Sequence, residues 1–180
     1  MLIFSQINMG KKEAFLMDIM NFKAEVQAID WRGLEDVPTK LIELALATQE
    51  SKDCIHQIEG VNVDFLSNAN VTNGVMSAIG NDHSGVYYAV ARDALPFIIQ
   101  VALFGNHMVA RNCAINLLID LFYFYPNNPS DEDLRIFVRK TIKNTIVENM
   151  DNFNSFASKD TRNNSLICSL FEIADEMSNC

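Results

Sequence analysis

The chain has 180 residues, 49% apolar and 21% charged: enough apolar side chains for one sizeable core, and too few charges for a disordered polymer. No apolar run reaches the ~20 residues that span a bilayer. The net charge of −9 sets up a field that repels nucleic acid and anionic membranes and attracts basic proteins.

The opening "MLIFSQINMGKK" places its apolar residues ahead of its lysines. A secretory signal has the reverse order, so none is expected and a cytoplasmic location is. In "KKEAFLMDIMNFKAEVQAI", Phe15, Ile19, Phe22, Val26 and Ile29 recur at alternating spacings of four and three, the stripe of a helix of about five turns. After a short loop, Asp36 is expected to cap a second helix with Pro38 in its first turn. Leu41, Ile42, Ala45 and Leu46 are its expected inner face. Residues 50–85 keep no steady period and are interrupted by Gly60, Gly74, Gly80 and Gly85. Two or three short helices and a long loop ending near Gly85 are expected there, with a small strand around Val61 to Phe65 as an alternative.

"VYYAVARDALPFIIQVALF" is too long for an ordinary strand. It places Tyr87, Val90, Ala91, Ala94, Leu95, Ile98, Val101 and Ala102 on one helical face, bent by Pro96 and closed by Gly105. Asn106 is expected to cap the next helix, which stops at Pro126. That helix is apolar over most of its circumference, through Val109, Cys113, Ala114, Leu117, Leu118, Leu121 and Phe122, so it should be enclosed by others. Ser130 and Asp133 fit a capping box ahead of a helix whose inner face is Leu134, Phe137, Val138, Thr141, Ile142, Thr145 and Ile146. Phe153 and Phe156 fall in a short irregular piece. Asp160 should cap a last helix with Leu166, Leu170, Ile173, Ala174 and Met177 inward. Short connections make successive helices antiparallel neighbours, giving an all-α single domain over residues 1–180 with an irregular segment at 50–85.

The hairpin formed by "ALPFIIQVA" and "VARNCAINLLIDL" resembles a HEAT repeat, with its proline-bearing first helix and its Val, Arg, Ala, Leu second helix at Val109, Arg111, Ala114, Leu117 and Leu118. A group of small bacterial HEAT-like proteins is similar over roughly residues 30–125. The shared motifs come in order: Asp30-Trp31, Asp36-Val37-Pro38, His83-Ser84-Gly85-Val86-Tyr87 and Ala94-Leu95-Pro96-Phe97. This resemblance implies stacked antiparallel hairpins, as an α-solenoid or a compact α-α bundle, and a non-enzymatic, protein-binding role. Similar small helical proteins include immunity proteins, which neutralise toxins. Nuclease toxins tend to be basic and would be drawn to an acidic inhibitor.

The candidate contacts follow from position and charge. His83 precedes Gly85 and the tyrosines Tyr87 and Tyr88 in a loop at a hairpin end, where function gathers; its structural alternative is a turn bonded to backbone. Arg92 and Asp93 lie off the apolar stripe, as contacts or as a local ion pair. Arg135, Arg139 and Lys143 draw a basic stripe, which is either a solvated face or the footprint of an acidic partner. That stripe also motivates the alternative of a nucleic-acid enzyme resembling HEAT-like DNA glycosylases; a homodimeric scaffold is a third reading. Asp120, in the most apolar helix, is expected, if buried, to find a partner within the fold, such as Arg111 or capping donors from a neighbouring helix, ahead of a role as a functional acid. His56, His83 and His107 have no ligand spacing, and Cys54, Cys113, Cys168 and Cys180 have no CxxC pair, so no metal, cofactor or catalytic residue is expected. Cys113 and Cys168 should be buried.

Overall fold

The computed structural model describes residues 17–48, 63–158 and 161–176. Among them are eight helices: α1 (Ile19–Ala28), α2 (Asp36–Leu46), α3 (Val63–Ile79), α4 (Ala91–Phe104), α5 (Met108–Tyr123), α6 (Glu132–Glu148), α7 (Met150–Ala157) and α8 (Thr161–Glu176). Three two-residue strands, β1 (Gly80–Asn81), β2 (Val86–Tyr87) and β3 (Tyr125–Pro126), are the only strands in this all-α fold among the described residues. The buried side chains form one cluster that draws on every helix from Phe22 in α1 to Ile173 in α8.

Helix α1 starts later than its apolar spacing suggests. The Asp18 carboxylate accepts from the N–H groups of Met20 and Asn21 at 3.0 and 3.2 Å, which caps the helix there. Just before it, Met17 is tied to the α4–α5 connection: its N–H donates to the Phe104 carbonyl and its own carbonyl accepts from Asn106 Nδ2, both at 3.1 Å. Phe15 lies outside the described residues. The indole N–H of Trp31 donates to Val26 O at 2.8 Å and closes the end of α1, while its ring joins Phe22 and Phe97 in an aromatic cluster. In α2, Asp36 is the first helical residue and not the cap, and no side chain caps this helix. Its inner face is Val37, Leu41, Leu44 and Ala45, so Leu46 faces outward, 42% exposed.

Residues 63–79 form one helix of 17 residues, where several short ones or a strand were expected. Val75, Met76 and Ile79 are enclosed against α2 and α5, and this packing overrides the low helix propensity of the run Ser67 to Gly74. Gly74 stands where the stem of Lys40 from α2 passes; a Cβ there would sit 3.4 Å from Lys40 Cδ.

Helix α4 begins at Ala91, later than the apolar run implies, because residues 86–90 are diverted into β2 and a turn. From Ala91 the expected face is buried, Pro96 lies inside the helix, and Gly105 closes it by donating its N–H to Val101 O. Asn106 is engaged with Met17, so the position before α5 falls to His107, whose side chain makes no cap bond. Helix α5 is the axle expected from its composition: eight of its residues are buried, and it packs against α2, α3, α4, α6 and α8. The capping box at Ser130 does not form; the Asp131 carboxylate takes the N–H of Leu134 at 3.1 Å and caps α6 instead. Phe153 and Phe156 are buried on α7, a regular helix and not an irregular piece. On α8, Ile167, Leu170 and Ile173 are buried, while Leu166 and Ala174 are half-buried. Asp160 and Met177 lie outside the described residues. Cys113 is buried, where it is held against Thr72, and burial pushes its thiol up to about 11. Cys168 is exposed on α8, contrary to expectation. Cys54 and Cys180 lie outside the described residues.

Candidate functional site

One end of the helical body is closed by the strand ribbon. β1 pairs antiparallel with β2, and β2 pairs parallel with β3, in the order β1-β2-β3. The chain turns between β1 and β2 through a single 3-10 turn, Asp82–Ser84. The Asn81 side chain accepts from Ser84 N, and Gly85 sits in the left-handed region at φ 61°. Gly80 is required by close approach: a Cβ there would collide with Val86 O and lie 3.0 Å from Tyr87 Cα. Three further bonds fix the ribbon, one to the end of α3 and two between the β2 and β3 segments. Tyr88 N donates to Ile79 O at 2.8 Å, Tyr125 N to Gly85 O at 3.1 Å, and Asn127 N to Tyr87 O at 2.7 Å.

This geometry separates the two adjacent tyrosines. Tyr88 is 38% exposed and Tyr125 is 53% exposed, while Tyr87 turns inward with no exposure at all. As a surface contact, Tyr87 is therefore corrected: alternation along β2 sends its ring into the core. Its hydroxyl is enclosed and has no hydrogen-bond partner, and burial pushes its pKa up to about 12 against the opposing pull of Arg139 and Arg135. Tyr88 stands between two open clefts. One, of about 320 Å³, is lined by Asn73, Ser77, Gly80, Asn81, Asp82, His83 and Tyr88. The other, of about 330 Å³, is lined by Tyr87, Tyr88, Ala89, Pro126, Asn127, Asn128, Asp131 and Leu134. His83 is exposed at the tip of the turn.

The remaining candidates split between surface and scaffold. Arg139 donates from Nε to Phe122 O at 2.9 Å and lies over the Phe122 ring, so it closes the end of α5. Arg135 is stacked 4.7 Å above the Tyr125 ring with Glu132 at 3.6 Å, and its Nε is buried without an acceptor. Arg92 lies over the Phe137 ring of α6 at 4.9 Å, and no ion pair joins it to Asp93, which is exposed in the first turn of α4. Lys143, one turn beyond Arg139, is half-buried. The basic stripe is thus spent largely inside the fold.

Asp120 does not meet Arg111. Arg111 donates from Nε to Ala102 O at 2.9 Å and from a terminal nitrogen to Asn152 Oδ1 at 2.6 Å, beneath the Phe156 ring. The Asp120 carboxyl is pushed up to about 6 by burial, reinforced by repulsion from Asp82 in the turn. Asp82 and Asp120 thus repel each other beside the ribbon, while Arg135 and Arg139 act on Tyr87 from the α6 side. Sequence reasoning missed Asn73, Ser77, Asn127, Asn128 and Asp131 as lining residues. The first two lay in the segment without a period, and "PNNPSDED" reads as a turn whatever it faces. Among the described residues, no three His, Cys, Asp or Glu side chains converge on a metal-sized position, and no helix is long and apolar enough to cross a membrane. Comparisons with protein-family models, curated proteins and solved structures find no match.

Proposed function

We propose that this chain is a protein-binding helical module of HEAT-like type, an immunity protein that holds and neutralises a basic toxin, with a nuclease toxin as the partner that best fits its charge. One observation carries the reading. Exposed His83, Tyr88 and Tyr125 stand in the ribbon and the turns beside it, and the two open clefts that meet at Tyr88 are lined by one carboxylate each, Asp82 and Asp131. Surface tyrosines ringed by polar groups supply contact area at low entropic cost. The net charge of −9 would speed encounter with a basic partner. The nucleic-acid alternative has less support, because Arg139 is bound to Phe122 O and Arg135 is stacked on Tyr125.

The test is rescue. The chain is co-expressed with each basic protein encoded beside its own gene, and survival is scored with the wild type and with Tyr88→Ala. Protection by the wild type that weakens in the variant supports the reading. Growth arrest relieved by no form of the chain, with no partner retained by the purified protein, would count against it. An electrophoretic shift with duplex DNA at low salt that disappears on Lys143→Ala would revive the alternative.

A further inference from the structure

Helix α6 turns Leu134, Val138, Ile142, Thr145 and Ile146 to the core and keeps two further apolar residues on its opposite side. Ile136 is 54% exposed and Val147 52%, and the helical turn places them within about 20° of one line. Charges flank Ile136 in a fixed order. Glu132 and Asp133 stand one turn before it and Lys140 one turn after it, all three exposed. These acids are seven and eight residues from Lys140, about 10–12 Å along the axis, too far to pair with it inside the helix. Glu132 meets Arg135 at 3.6 Å and stays 60% exposed, and among the described residues no ion pair engages Asp133 or Lys140. The order acid, apolar, base is self-complementary. If a second copy of α6 lies antiparallel on the first with the two Ile136 side chains on the twofold axis, Glu132 of each copy faces Lys140 of the other, with Asp133 beside it. Other pairings are worse. A parallel one sets Glu132 on Glu132 and Lys140 on Lys140, and the antiparallel one that packs Ile136 on Val147 brings Lys140 against Lys143.

We propose that the outer face of α6 is a self-association surface, across which two copies of this chain pair antiparallel about Ile136. A second copy is the occupant because the face matches itself. A uniformly basic partner would meet Lys140, and nucleic acid would meet Glu132 and Asp133. The contact is small, so the dimer is weak and forms at about 100 µM chain and not at nanomolar levels. The charge of −9 on each copy opposes it at low salt. At about 0.15 M salt the screening length is about 8 Å, so the diffuse repulsion fades while pairs in contact persist. None of Glu132, Asp133, Ile136 and Lys140 lines either cleft at the ribbon end, so this association and the capture of a toxin stand or fall separately.

The test is sedimentation equilibrium of the full chain from about 10 to about 500 µM in about 0.15 M salt. A reductant is present, so that disulfides through the exposed Cys168 do not contribute. The wild type should approach twice the monomer mass at the top of the range. Ile136→Asp should weaken association about tenfold or more, whereas Met20→Asp, at a 74% exposed apolar position on α1, should leave it unchanged. A charge swap is the stricter test. Lys140→Glu leaves acids on both sides of Ile136, and Glu132→Lys combined with Asp133→Lys leaves bases on both sides. Each of these two variants, with its fold checked by circular dichroism, should stay monomeric alone, and an equal mixture of the two should dimerise at least as well as the wild type. A wild type that is monomeric at the highest concentration overturns the proposal, whether or not some other protein covers this face. Equal weakening by Met20→Asp and Ile136→Asp, or a mixture no more associated than its two components, overturns it as well.

Discussion

Three buried or half-buried polar side chains do the structural work that ion pairs are often assigned. Trp31, Arg111 and Arg139 each donate to a carbonyl in the last turn of a helix, at Val26, Ala102 and Phe122. Last-turn carbonyls lack an N–H from a following turn, although Val26 O also takes the Ile29 N–H at 3.4 Å, and the negative end of the helix dipole favours the two arginines. Arg111 is the extreme case. Burial lowers its pKa to about 10, so it stays charged at neutral pH, held by dipoles and the Phe156 ring with no carboxylate partner among the described residues. Arg111→Met should therefore cost about 2–3 kcal/mol, read as a lowered melting temperature, because the Ala102 and Asn152 oxygens lose their donor. Asp120 gives the opposite sign. Its folded pKa of about 6 lies above the 3.8 of an unperturbed Asp, so the native state holds the extra proton between those values. The associated stability is fully present below about pH 4 and is lost as pH rises through about 6. Asp120→Asn should stabilise the protein at pH 7 on the order of 1 kcal/mol, allowing for partial solvent access, and should flatten the slope of stability against pH in that window. An unchanged slope in urea titrations at pH 5 and pH 7 would refute the assignment.

At the scale of elements, the sequence was most legible where apolar periodicity was strong. The stripes of α4, α5 and α6 stand as read, because a core face must keep its spacing whatever caps the helix. Helix starts were less legible. Asp36, Asn106 and Ser130 all have the right chemistry for caps, but Asn106 is taken by Met17, Ser130 gives way to Asp131, and Asp36 falls inside a helix that no side chain caps. Helix α3 was invisible because asparagine, serine, threonine and glycine mask a face that only its packing against α2 and α5 enforces. The ribbon was unreadable for a different reason. Strands of two residues have no period, and only the fold brings Tyr125 beside Val86. Gly80 is its weak point. Gly80→Ala should force β1 off Val86 and cost about 2 kcal/mol. Hydrogen exchange should show the Tyr88 amide, bonded to Ile79 O, losing protection ahead of amides in α5.

Across the whole molecule, stability comes from enclosing α5 and is opposed by charge. Leu117 has no exposed surface, whereas Ile136 on the outer side of α6 is 54% exposed. Leu117→Ala should cost about 3 kcal/mol and Ile136→Ala within about 0.5 kcal/mol, a contrast readable in denaturant midpoints. The candidate site was half legible at this scale: His83 and Tyr88 were found as residues before a hairpin, but the second cleft joins residues 87–89 to residues 126–134, far along the chain. The same acidity acts on folding. With a net charge of −9 and only exposed or partly exposed ion pairs such as Lys40–Glu43 and Glu132–Arg135 among the described residues, the folded chain repels itself at pH 7. Raising salt from about 10 mM to about 200 mM shortens the screening length from roughly 30 to roughly 7 Å and should raise the melting temperature. The two electrostatic effects are separable. In Asp120→Asn, one half-buried carboxylate is gone but the diffuse surface charge remains, so the stabilisation by salt should persist while the stabilisation by acid shrinks. If salt instead lowers the melting temperature of the wild type, attraction between surface charges outweighs their repulsion, and the acidic field invoked for partner capture is weaker than the formal charge implies.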